Sequence, residues 1–175
     1  MADDSKPTPS GPLASLITEA QNGNLSVSWG KGTKQDFRLN ADEFAYILRD
    51  CQAMKLEIRR LQGIAQTIAD RQDWGLGESN PRLPSATTVV SRLRSKAADA
   101  NLPTDSPDSL HAVYEQHYQI IDDLETLHRT IAQQFSQQDT DFAAEFTRIN
   151  ANMEPSPIGP NTPTGVTSIG LGLSK

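Results

Sequence analysis

A break between two long heptad-patterned stretches constrains this chain more than any other feature. Helical sequence from about Asn40 to Asp73 runs into Trp74-Gly75-Leu76-Gly77-Glu78-Ser79-Asn80-Pro81, after which helical sequence resumes. Glycine enters left-handed backbone conformations without steric cost, and proline cannot continue a helix. A bulky aromatic followed by two glycines and a proline is therefore the chemistry of a corner. A helical rod can turn back there, with Trp74 available to plug the bend.

Before the break, Asn40 is expected to cap the helix, with Glu43 as the reciprocal capping-box partner. Phe44, Ile47, Cys51, Met54, Ile58, Leu61, Ala65 and Ile68 then follow at alternating steps of three and four, a seam sustained over more than three heptads. Such a rod of roughly 33 residues is about 50 Å long. Phe44, Ile47, Met54, Ile58, Leu61 and Ile68 are the candidate partner-binding seam. Gly63 costs about 1 kcal/mol against alanine inside a helix, which predicts a close helix crossing at that point.

After the break, a shorter helix is predicted from Ser85 as cap, with Val89, Val90, Leu93, Ala97 and Ala100 on its apolar side, ending at Asn101-Leu102-Pro103. Ser106-Pro107 then offers a cap and a first-turn proline for a last helix reaching Asn150. Its seam reads Leu110, Val113, His117, Ile121, Leu124, His128, Ile131 and Phe135, with a bend expected near Gln137-Gln138. Upstream, Leu13 to Asn22 has helical spacing, and Leu25 to Leu39, with Gly30-Lys31-Gly32 as turn, reads as a small β-hairpin. The proline- and glycine-rich ends, 1–12 and 152–175, lack the apolar mass to offset ordering entropy and read as disordered. The expected fold is mainly α: an elongated antiparallel helical hairpin or bundle of three main helices over 40–151, preceded by a short helix and hairpin over 13–39.

Aromatic content of 6% suits helices packed through Leu, Ile and Ala rather than an aromatic-rich sandwich. A net charge of -6 argues against a sequence-independent grip on nucleic acid. No apolar run approaches the roughly 20 residues of a membrane span, and the acidic Met1-Ala2-Asp3-Asp4 start leads into no signal-peptide core. Cys51 is the single cysteine and is expected to be a buried, inert thiol. The stretch 107–150 is acidic, with Arg129 and Arg148 its only arginines, whereas 79–103 is basic. Either the middle and last helices pack antiparallel through these charges, or both are ordinary solvated faces.

No catalytic or cofactor signature emerges. His117 and His128 stand three turns apart, roughly 16 Å, too far to share a metal from one helix, and read as partly buried seam residues. Asp122, Asp123 and Glu125 read as solvated surface rather than a facing acid/base pair. Gly30-Lys31-Gly32-Thr33 lacks the spacing of a phosphate loop. The chain is expected to be no enzyme and to need no cofactor.

Tyr118 and Asp122 lie four apart downstream of the Trp74 corner. A helix, a Trp-Gly corner, a second helix and a downstream Tyr-x-x-x-Asp resemble the Trp-x-Gly helical-hairpin proteins of actinobacterial type VII (ESX) secretion systems. The resemblance spans roughly Asn40 to Asn150. It departs from the family pattern in that Gly75 directly follows Trp74, with Gly77 two residues on, and in that Tyr118-x-x-x-Asp122 lies inside a long helix. The resemblance implies Trp74, Gly75, Gly77, Tyr118 and Asp122 as export or recognition residues. It implies a helical partner or homodimer, and cytoplasmic synthesis followed by secretion without a cleaved leader. The other expectation from the sequence is a cytoplasmic coiled-coil scaffold or chaperone-like adaptor.

Overall fold

The computed structural model describes residues 9–24, 40–98 and 108–159. Within them the chain forms five helices and no strand: α1 (Ala14–Gln21), α2 (Ala41–Asp70), α3 (Pro84–Ala97), α4 (Leu110–Gln138) and α5 (Thr140–Ala151). The mainly helical expectation holds, but five helices replace the three main ones. The β-hairpin expected over 25–39 lies outside the described residues.

Local chemistry sets the helix limits. Asn40 caps α2 through a bond that its Oδ1 accepts from the Asp42 amide at 3.0 Å. Helix α3 starts at Pro84 with no side-chain cap, so Ser85 is not the cap expected of it. Ser109 caps α4 by accepting from the Ala112 amide, three residues after the predicted Ser106, which lies outside the described residues. The predicted single last helix is divided at Asp139. Its own N–H bonds the Phe135 carbonyl, ending α4, while its Oδ1 accepts from the amides of Asp141 and Phe142, starting α5. One aspartate thus caps both helix ends, close to the bend expected near Gln138.

Helices α2 and α4 make the most extensive contact. Gln62 meets Glu115, Lys55 meets Asp122, Gln52 meets Glu125 and Phe44 meets His128, so the two helices run in opposite directions. Helix α3 is interposed at the corner: its end returns to the end of α2, where Ala69, Ala97 and Ala98 form a small buried cluster. Helix α5 closes the far end. There Phe142 lies edge-on to Phe44 and stacked on Phe146, over a core of Ala41, Ala45, Ala132 and Ile149.

The buried line of α2 runs through Ala41, Leu48, Gln62 and Ala69, with Ala45, Cys51 and Ala65 beside it. Of the seam expected from the sequence, Cys51 and Ala65 are buried, and the rest lies to one side of this line. Phe44 packs on the core and Ile47, Met54, Ile58 and Leu61 are half-buried, but Ile68 is 37% exposed. Gly63 also departs from expectation. Nothing lies within 4 Å of a Cβ placed there, so no helix crosses at that point.

Helix α1 docks on α4 through Asp123, whose carboxylate accepts from the Leu13 amide at 2.7 Å. Gly11 permits this approach, since a Cβ on it would lie 2.2 Å from Asp123 Oδ2. At the other end of α1 the Gln134 side chain donates to the Ala20 carbonyl. Part of the tail expected to be loose also packs. Ser156 donates to Asp50 at 2.7 Å, and Arg49 donates to the Glu154 carbonyl at 3.3 Å.

Candidate functional site: the Trp74 corner and the polar contact of α2 with α4

At the corner, three successive amides find acceptors. Trp74 and Leu76 donate to the two carboxylate oxygens of Glu78, and Gly75 donates to Asp73 Oδ1 at 2.9 Å. The bond from the Trp74 amide, and behind it that from Leu76, hold the Glu78 carboxyl below the ordinary carboxylate range. Gly75 and Gly77 both adopt positive φ, 70° and 84°, which accounts for glycine at these two places. The Trp74 ring is half-buried rather than a full plug. Its Nε1 donates to the Arg71 carbonyl at 3.1 Å, and the Arg71 guanidinium lies 5.8 Å from the ring centre.

Arg94 of α3 donates to the carbonyls of Arg71 and Gln72, at 2.6 and 3.1 Å. A cation on the last carbonyls of a helix is favoured by the helix dipole. The same bonds fix α3 against the end of α2.

Tyr118 and Asp122 are not free on the α4 surface. Arg59 lies 3.7 Å over the Tyr118 ring and donates to Glu115, while Lys55 donates to Asp122 at 2.6 Å and pairs with Glu125 at 2.7 Å. Arg129 also binds Glu125, and Gln52 donates to it at 3.3 Å. Burial pushes the Glu125 carboxyl up, but the bonds from Lys55, Arg129 and Gln52 together hold it below the usual range. Lys55 responds oppositely: burial depresses its ammonium, and Asp122 with Glu125 more than restores it, leaving it above the ordinary lysine value.

Asp123 and Glu125, expected on the solvated surface, are therefore buried, at 8% and 7% exposure. One carboxylate holds α1 and the other anchors α2. The charge complement of acidic α4 is also not α3, as the segment charges suggested. Its main cations are Lys55 and Arg59 of α2, whereas among the described residues α3 offers only the 3.6 Å pair of Lys96 with Asp108, just ahead of α4, between two exposed side chains.

Lys55 and Gln62 escaped the sequence reading because they are polar. The signal was present: Ala41, Leu48, Lys55, Gln62 and Ala69 recur every seven residues, and Glu115 and Asp122 repeat at the same interval. A heptad position can be polar when the facing helix supplies the opposite charge.

The two sides of the α2–α4 pair differ in character. One edge is polar, with Arg59, Gln52, Glu115, Asp122 and Arg129. The other side is marked by the Phe44–His128 contact at 5.9 Å between ring centres. By seven-residue spacing it carries Ile47, Met54, Leu61 and Ile68 of α2 and Leu110, His117, Leu124 and Ile131 of α4. Towards the corner this flank opens: Ile68 and Leu110 are 37% and 47% exposed. His117 is exposed there, contrary to the partly buried position expected, while His128 is half-buried; each ring Nδ1 contacts the carbonyl four residues earlier, at 2.8 and 2.7 Å.

Elsewhere, a surface cavity of about 350 Å³ is lined by Asp42, Tyr46, Arg49 and Arg148, but Arg49 is paired with Asp50 and Arg148 with Glu145. Cys51 is buried, and burial, with Glu125 behind it, pushes its thiol pKa up. Among the described residues, no cluster of three His, Cys, Asp or Glu could hold a metal ion, and no helix is long and apolar enough to cross a membrane. No protein family, curated protein or solved structure matches this chain.

Proposed function

We propose that this chain is a non-enzymatic helical binding protein of the type VII secretion kind. In this reading α2 and α4 serve as an elongated antiparallel hairpin, and a second helical chain, or a second copy, covers their apolar flank. The observation that carries the reading is the exposure of Ile68 and Leu110 at the open end of a row that is half-buried from Ile47 to Leu61. A row that is partly covered and then runs into solvent is suited to being continued by another helix. Aspartate in place of Ile68 is expected to abolish co-purification of a helical partner or self-association while leaving helicity intact. Unchanged association would remove the flank as the binding surface.

The export half of the proposal assigns recognition to Trp74, Gly75, Gly77, Tyr118 and Asp122, after synthesis in the cytoplasm and without a cleaved leader. Supporting it, the Asp122 side chain remains 51% exposed despite its bond to Lys55. The test is the amount of protein in culture filtrate. Trp74→Ala, Tyr118→Phe and Asp122→Asn should each lower it. Tyr118→Phe is the informative variant, because it keeps the ring under Arg59 and deletes only the hydroxyl. Filtrate levels equal to wild type for all three would end the export reading and leave the binding reading standing.

A second reading, a cytoplasmic scaffold or chaperone-like adaptor, is favoured by one observation. Tyr118 and Asp122 already have structural partners in Arg59 and Lys55. It predicts partner binding without export, so the same filtrate measurement separates the two.

A further inference from the structure

We infer that an exposed flank of α3 is a second docking surface, built for an acidic amphipathic helix of a partner protein. The inference does not depend on export or on occupancy of the α2–α4 flank. Helix α3 is held from one side, where Val90 and Ala97 are buried, Arg94 grips the end of α2, and Thr87 donates to the Glu78 carbonyl. Val89, Arg92, Leu93 and Lys96 then share the flank next to that side, with Leu93 bordering Val90 and Ala97, since residues three, four and seven apart lie on one helix face. Val89 and Leu93 are 47% and 43% exposed.

The charge on this face is largely unspent. Along the α2–α4 pair Lys55, Arg59, Arg60 and Arg129 each pair with a carboxylate. Helix α3 contains no acidic residue, and Arg92 makes no ion pair among the described residues; Lys96 has only its 3.6 Å contact with Asp108. Two half-exposed apolar side chains bordered by Arg92 and by Lys96, whose pair with Asp108 is long and exposed, complement a helix with an apolar row bordered by Asp or Glu. An anionic membrane is a poorer fit. Two half-exposed aliphatic residues give little insertion area, and the chain as a whole carries a net charge of -6.

The experiment titrates the full chain against a fluorescent synthetic helical peptide with a leucine row bordered by glutamates, its lysine counterpart, and phosphatidylcholine vesicles containing phosphatidylglycerol. Saturable, salt-sensitive binding of the glutamate peptide alone is expected, with backbone amide shifts centred on 85–97. The double variant Arg92→Glu/Lys96→Glu should weaken it by about tenfold or more. Arg148→Glu, where the native guanidinium already pairs with Glu145, should leave it unchanged. Circular dichroism confirms that both variants keep their helices. The proposal is overturned by an absence of saturable binding, by equal losses in the two variants, by shifts centred on α2 or α4, or by binding of the vesicles in place of the peptide.

Discussion

Single atoms decide several features of this molecule. A Cβ at Gly11 would fall inside the Asp123 carboxylate, so Gly11→Ala must push α1 from its seat on α4. Asp123→Ala should also loosen α1, leaving the Leu13 amide without its acceptor at a cost of about 1–3 kcal/mol. Both variants should raise amide exchange across Ala14–Gln21 and leave α2 protected; unchanged exchange in α1 would contradict the latch. At the corner, Gly75→Ala is expected to lose about 1–2 kcal/mol from its positive φ alone. Gly77→Ala should lose more, because its Cβ would also crowd Leu83 Cδ1 at 3.0 Å, whereas nothing lies near a Cβ on Gly75. Denaturant midpoints of the two variants check that order.

At the scale of elements, the contact between α2 and α4 is polar from Lys55 to Gln62 and aromatic at the Phe44 end. Lys55→Ala would leave buried Glu125 with Arg129 as its remaining cation, so the cost should fall below the loss of about 3–5 kcal/mol typical when the sole partner of a buried charge is removed. The joint replacement Lys55→Met/Glu125→Leu should recover most of that loss. The pH dependence follows from the same pair. Because the folded Glu125 pKa lies below its ordinary value of 4.5, its stabilisation is complete above that pH and is lost as pH falls through the folded value. Because Lys55 lies above its ordinary 10.5, its share is complete below that pH and is lost as pH rises past the folded value. Thermal midpoints should therefore fall more steeply on acidification in wild type than in Lys55→Met/Glu125→Leu. The helix class, the Asn40 cap, the corner glycines and the break near Asp139 were legible because each rests on local chemistry. The direction α2 faces was not. An apolar count points to the Ile47–Ile68 row, whereas the helix turns its Lys55–Gln62 row inward because charges on α4, 53 and 67 residues away, make that row the better match.

On the scale of the whole molecule, aromatic packing is concentrated at one end and cationic surface at the other. Phe142 is 6% exposed and touches Phe44, Phe135 and Phe146. Its truncation to alanine should cost about 3–5 kcal/mol and unfold α5 first, as read by exchange along Thr140–Ala151. The candidate site could be read only in part for a related reason. Trp74, Tyr118 and Asp122 were recognisable as residue types, and Arg71 is a local neighbour of Trp74, but Arg59 and Lys55 reach Tyr118 and Asp122 from α2, two helices back, and are set by the packing of the chain as a whole.

The alternation of charge along α2 and α4 also acts as a ruler. Sliding one helix past the other by a single turn would part the Lys55 ammonium from both its carboxylates and leave Glu125 with Arg129 of its own helix. Ratcheting is thereby forbidden, and any visitor to the greasy flank meets one fixed spacing of ridges rather than a sliding scale.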